Sequence, residues 1–205
     1  MPIQTSTDTE LSAGNSILGS IGQSPVNAIT GDALQNPEIA YVKNLLLEVN
    51  KDVQTTGWHF NTQLREKRQP DNNGNYLIPQ DAIQFDLSDG QVDRNRDVVR
   101  KDGKLWDLVH QTSVFTQDFY FDIITLYAFE DVPPAIQRYI IARASVRAAV
   151  QLVSNPELVK LLKMEEEQAK ANALNYETEQ GDNSFFGFPD ETSYRAYKPY
   201  KALLR

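Results

Sequence analysis

Leu11, Ile17, Leu18 and Ile21 recur at helical spacing with small residues between them, which puts one apolar face on a short amphipathic helix. The pattern Thr7-x-x-Glu10 can open that helix as a capping box, and Gly22 followed by Pro25 stops it. Residues 23–36 hold Pro25, Gly31 and Asp32 and read as a connecting loop. Asn36-Pro37-Glu38 then combines an N-cap, a proline at the first helical position and an acid in the first turn. Ile39, Val42, Leu45, Leu46, Val49 and Val53 continue at three- and four-residue spacing until Gly57.

From residue 58 the period changes. Trp58-His59-Phe60 has strand propensity, and Asp71-Asn72-Asn73-Gly74-Asn75 is a dense turn signal before Tyr76-Leu77-Ile78. Ile83, Phe85 and Leu87 alternate with polar residues, the period of a half-buried strand. Lys101-Asp102-Gly103-Lys104 reads as a tight turn between Val98-Val99 and the run from Leu105 to Val109. The run from Phe119 to Phe129 is rich in aromatic and β-branched residues. Residues 58–129 are therefore expected to form a small antiparallel sheet.

Helical periodicity returns at Pro133-Pro134. Tyr139, Ile140, Ala144, Val146, Ala149, Val150 and Val153 supply a broad apolar stripe, and the alanines permit close helix approach. Asn155-Pro156-Glu157 repeats the earlier start signal for a fourth helix ending near Glu177, apolar in its first half and charged in its second. The expected fold class is α+β. A bundle of about four helices from residues 10–57 and 133–177 carries the β-rich insertion 58–129. Residues 1–9 are expected to form a flexible N-terminus and 178–205 an extended docking arm.

Composition narrows the function. At 40% hydrophobic and 23% charged residues, the 205-residue chain can bury a core. No apolar run reaches the length of a membrane span, and the N-terminus lacks the basic and apolar regions of a signal peptide. Without cysteine there is no disulfide, thiolate metal site or thiol nucleophile. The net charge of −8 is the reverse of what grips phosphates, so DNA passing nearby would be repelled rather than held.

Two stretches carry a resemblance. They are the run from Glu10 to Val26, read as L-S-A-x-N-x-I-L-x-S-I-G-x-x-P-V, and Gly57-Trp58-His59-Phe60-Asn61, read as G-W-x-F-N. A third, from Asp131 to Ile140, fits (D/E)-x-P-x-x-x-x-x-Y-I. Together they resemble tail tubular protein A, the head-to-tail adaptor of short-tailed phages, from about Glu10 to about Tyr176. The resemblance implies a structural virion protein of the tail, assembled in the host cytoplasm as a dodecameric ring. It implies contacts with the portal protein, with the tail nozzle (tubular protein B) and with tail fibres, around a channel that DNA crosses without specific binding. No cofactor, metal or membrane is implied.

Candidate chemistry is sparse. His59, between Trp58 and Phe60, is expected to be a packed structural histidine, and His110 likewise. No nucleophile elbow, phosphate loop or paired-histidine zinc motif occurs. Asp93-Arg94-Asn95-Arg96-Asp97 mimics a calcium loop, but Val98 stands where glycine is needed and Lys104 where glutamate is needed. Asp86, Asp89 and Asp93 could supply a glycosidase carboxylate pair, the basis of an alternative reading as a tail-associated polysaccharide or peptidoglycan hydrolase. A monomeric binding module is a further rival. Arg138, Arg143 and Arg147 lie near one helical side, where surface ion pairing is the ordinary role.

For a ring, Lys43, Glu48, Arg143 and Arg147 are expected at subunit contacts, and Glu165, Glu166 and Glu167 toward the lumen. Phe185, Phe186, Phe188, Tyr194, Tyr197 and Tyr200 lie in a stretch without periodicity. They either fold back over the helices or anchor a docking arm. The resemblance favours docking on the portal.

Overall fold

A computed structural model of the chain describes residues 8–88 and 96–181. The described chain divides into a helical unit, from residues up to Phe60 together with Leu126–Gln180, and a β-rich unit, Asn61–Thr125. Among the described residues, four α-helices and five antiparallel strands give the α+β class expected from the sequence.

In the helical unit, α1 spans Glu10–Ser20, α2 Pro37–Gln54, α3 Pro134–Ala148 and α4 Pro156–Gln180. The N-cap of α1 is Thr9, whose hydroxyl accepts from the Ser12 amide at 3.2 Å; Thr7, expected to open the helix, lies outside the described residues. Gly22, at φ +81°, ends α1: its amide donates to Gly19 O at 3.1 Å and the Gln23 amide to Leu18 O at 2.9 Å. That double closure is the Schellman pattern, which needs a left-handed residue at this position. Asn36 and Asn155 cap α2 and α4 by accepting from the Glu38 and Glu157 amides at 2.9 and 3.0 Å. Both start signals therefore act as the sequence predicts.

α3 is the central helix. Ile136, Ile140, Ala144 and Ala148 recur every four residues and are fully buried, against Ala13, Ile17 and Leu18 of α1, Val42, Leu46, Val49 and Val53 of α2, and Ala173 of α4. α3 runs on through a π-helical turn, Ala149–Val153, which closes with Ser154 in a left-handed conformation. The wider turn rotates this end of the stripe outward. Val150 and Val153 are exposed instead of buried, which corrects the apolar stripe expected there.

Trp58 belongs to the helical core and not to a strand. It is buried, and its indole N–H donates to Val53 O at 2.7 Å, satisfying an end carbonyl of α2. His59–Asn61 is a 3-10 turn. Aromatic strand propensity has been overridden by a cavity that Trp58 fills. Nearby, the buried Gln54 amide donates to Tyr127 O at 2.9 Å and accepts from the Tyr127 amide at 2.8 Å, fixing the backbone that leads into Phe129.

In the β-rich unit, β1 (Thr62–Arg68), β5 (Phe119–Thr125) and β2 (Ala82–Leu87) form an antiparallel sheet with β5 central, and β3 (Val98–Lys101) pairs with β4 (Lys104–Asp107) as a hairpin. Along β5, Phe119, Phe121 and Ile123 point inward and alternate with less buried residues. Asp102 and Gly103 both have positive φ, at +51° and +73°, which is what a two-residue hairpin turn of the expected kind requires. The Asp71 turn also forms, its carboxylate accepting from the Asn73 and Asn75 amides at 2.8 and 2.7 Å. Tyr76-Leu77-Ile78 makes a single bridge, Leu77 to Lys104, and not a strand. Tyr76 instead sits amid Phe115, Phe119 and Phe121, with ring centroids 5.4, 6.0 and 5.0 Å away.

Candidate functional site

The α1 motif has a specific mechanical purpose. Asn15 donates to Val26 O at 3.0 Å and accepts from the Val26 amide at 2.7 Å. A side-chain amide thus pairs with the loop as a strand would, pinning residues beyond Pro25 to the helix they follow. Gly14 is buried beside Ile29, whose side chain an added Cβ would meet at an ordinary contact distance of 3.4 Å.

Of the expected ring contacts, Arg147 on α3 forks onto two carboxylates of α2, Glu48 at 3.0 Å and Asp52 at 2.7 Å. Glu48 and Arg147 are therefore brought together inside one copy. Beside them the Tyr41 hydroxyl bonds Gln151; burial first, and then the Glu48 charge, push that hydroxyl above its ordinary value, so it stays a donor. Lys43 is half-buried on α2. Arg143 donates to the Tyr139 hydroxyl at 3.0 Å and has no carboxylate partner among the described residues. Arg138 reaches Asp8 at 3.3 Å.

Glu165, Glu166 and Glu167 diverge, as three consecutive helical residues must. Glu165 lines a cleft with Pro134, Ala135 and Arg138 of α3, whereas Glu166 and Glu167 line another with Tyr139, Arg143, Arg147, Lys163 and Lys170. The aromatics Phe185, Phe186, Phe188, Tyr194, Tyr197 and Tyr200 lie outside the described residues.

The acids considered for hydrolysis are not assembled into a cleft by what is described. Asp86 is exposed on β2, opposite Asp122 of β5, and its carboxylate accepts from the neighbouring Leu87 amide. Asp89 and Asp93 lie outside the described residues. Among the described residues no group of three or more His, Cys, Asp or Glu side chains could hold a metal ion, and no helix is long and apolar enough to cross a membrane.

Both histidines are exposed and so are not the packed residues expected, although His110 does take a structural contact. His59 uses its backbone amide, donating to Glu177 at 2.6 Å. His110 sits on a cluster that reading the sequence missed. Asp107, fully buried, accepts from Arg96 at 3.0 Å and meets His110 Nδ1 at 2.8 Å through one oxygen. Its other oxygen accepts from the Val109 and His110 amides at 2.9 and 3.1 Å. Burial raises the Asp107 carboxyl, but the hydrogen bonds from His110 and Val109 outweigh it and hold the group below the usual carboxylate range. Arg96 in turn lies over the rings of Phe115 and Phe119, at 5.7 and 5.3 Å. The signal was present: in β4, Leu105 and Asp107 are two apart and share the inward face. This cluster organises the loop after β4 and is structural in its geometry.

A family model described as tail tubular protein matches residues 11–183, taking in the Asn15 latch, all of α2 and α3, the β-rich unit and the whole of α4. No curated protein matches the chain. With most of its length matched, from the first turn of α1 to beyond the end of α4, the chain belongs to the tail tubular protein family.

Proposed function

We propose that this protein is a ring-forming adaptor that joins the capsid portal to the tail nozzle and fibres and lines part of the channel for DNA ejection. Family membership makes it a structural protein of the phage tail. The adaptor reading rests chiefly on α4. This 25-residue helix buries Leu162 and Ala173 among its described side chains and leaves Leu161 and Met164 each 61% exposed. Apolar positions on both its inner and outer faces are unusual for a helix facing water and suit one sandwiched between its own unit and a neighbouring copy. The net charge of −8 suits a conduit, because a wall that repels phosphates does not retain the genome.

In this reading the arm with Phe185, Phe186, Phe188, Tyr194, Tyr197 and Tyr200 docks on the portal through aromatic anchors. The hydrolase alternative finds no support in Asp86, which stands on an open strand face. Co-purification of the full chain with portal particles tests the adaptor reading. Stable co-elution in many copies per portal is expected. No retention on the portal, together with virions that assemble and infect normally without this gene, would overturn it.

A further inference from the structure

We propose that α4 forms the seam between neighbouring copies of this chain, the flank carrying Lys163 and Lys170 on one copy receiving the flank carrying Glu165 and Glu179 on the next. The inference rests on the ring reading above and specifies which surfaces close it. Residues seven apart lie on one stripe of a helix, so Lys163 and Lys170 line up, as do Glu165, Asn172 and Glu179. The two stripes are offset by two residues, about 200° around the axis, and therefore face opposite ways.

The clefts beside α3 bear this out. Lys163 and Lys170 border one with Tyr139 and Arg143, and Glu165 borders the other with Pro134, Ala135 and Arg138. Glu166 and Glu167 temper the basic side, and Arg138, which already reaches Asp8, tempers the acidic side. Lys163, Lys170, Glu165 and Glu179 are all exposed, and none makes an ion pair among the described residues. Between the stripes, on the side away from α3, lie Met164 and Ala171 among polar residues, and the exposed Leu161 sits on the acidic stripe, one turn before Glu165.

A head-to-tail ring needs two different, mutually complementary surfaces on every copy. α4 supplies both signs of charge on opposite flanks, with exposed Met164 between them and exposed Leu161 on the acidic one. Arg147 and Glu48, by contrast, already satisfy each other within one copy. Complementary charge fixes the direction of assembly, and the exposed Leu161 and Met164 supply apolar area to bury.

Two charge-reversed variants of the full chain test this on portal particles, with copies counted by electron microscopy. Lys163→Glu with Lys170→Glu makes both flanks acidic; Glu165→Lys with Glu179→Lys makes both basic. Each is expected to keep the parent's urea midpoint, because all four sites are exposed, and to fail to close a ring alone. An equal mixture is expected to recover rings, since unlike flanks then alternate. If the parent closes rings and either variant alone does so equally well, or if the mixture recovers nothing, the α4 seam is wrong while the ring stands. If the parent itself never forms rings on portal, the ring reading fails.

Discussion

Asn15 shows how one side chain carries a motif. Only an amide on a short stem offers a donor and an acceptor side by side, matching the Val26 carbonyl and amide together. Asn15→Ala is expected to cost about 2 kcal/mol, the loss of two partly buried hydrogen bonds. Asn15→Asp is expected to cost at least as much, because it sets a carboxylate oxygen against the Val26 carbonyl. Urea unfolding curves check both. Asp107 is the second such residue. Removing its charge with Asp107→Asn strips a buried carboxylate from Arg96, and the expected loss is about 3 kcal/mol. Its depressed carboxyl also fixes the sign of the pH dependence. The contribution is present above the unfolded value, about 3.9, and is lost as pH falls through the lower folded value. Stability measured from pH 6 downward is expected to fall less steeply in the Asn variant; parallel acid limbs would contradict this. The sequence marks Asn15 only as a member of a recurring pattern. Its partner, eleven residues on, follows from the turn at Gly22, a matter of three-dimensional path and not of spacing.

Elements were legible where local chemistry decides them. Asn36-Pro37 and Asn155-Pro156 cap helices because the side chain, the missing proline N–H and the first-turn acid all act within one turn. The Asp102-Gly103 turn follows from two residues that tolerate positive φ. Elements were misjudged where tertiary packing decides. Trp58 leaves its strand propensity to fill the helical core, and Val150 and Val153 are turned outward by a π-helical turn that no local signal announces. The turn at Gly74 combines both levels. At φ +79° a side chain is strained, and an added Cβ would come 2.8 Å from Val114 Cγ1 and 3.1 Å from Phe115 O. Gly74→Ala is expected to destabilise the β-rich unit by about 1–3 kcal/mol, read as a lower thermal midpoint. An unchanged midpoint would mean that the turn relaxes freely.

At the scale of the whole molecule, the helical unit is assembled from two stretches separated in sequence by the β-rich unit. Helices α1 and α2 must therefore find α3 across that intervening chain, and the buried residues of α3 provide the apolar area that offsets loop closure. The class of fold was legible because period-3.6 and period-2 patterns occupy different stretches. The assembly surface was not. A residue such as Arg147 looks equally fit for a neighbour or for its own copy until the fold places Glu48 and Asp52 beside it. Conversely, Leu161 and Met164 look like core until α4 is seen to bury Leu162 and Ala173 instead. The adaptor account therefore turns on what covers the outer side of α4. An electron-microscopy reconstruction of the full chain bound to portal, at side-chain resolution, addresses this directly. The account predicts a closed ring with Leu161 and Met164 of each copy buried at the contact with the next. Single copies on the portal, or a ring in which this face of α4 stands in solvent, would contradict it.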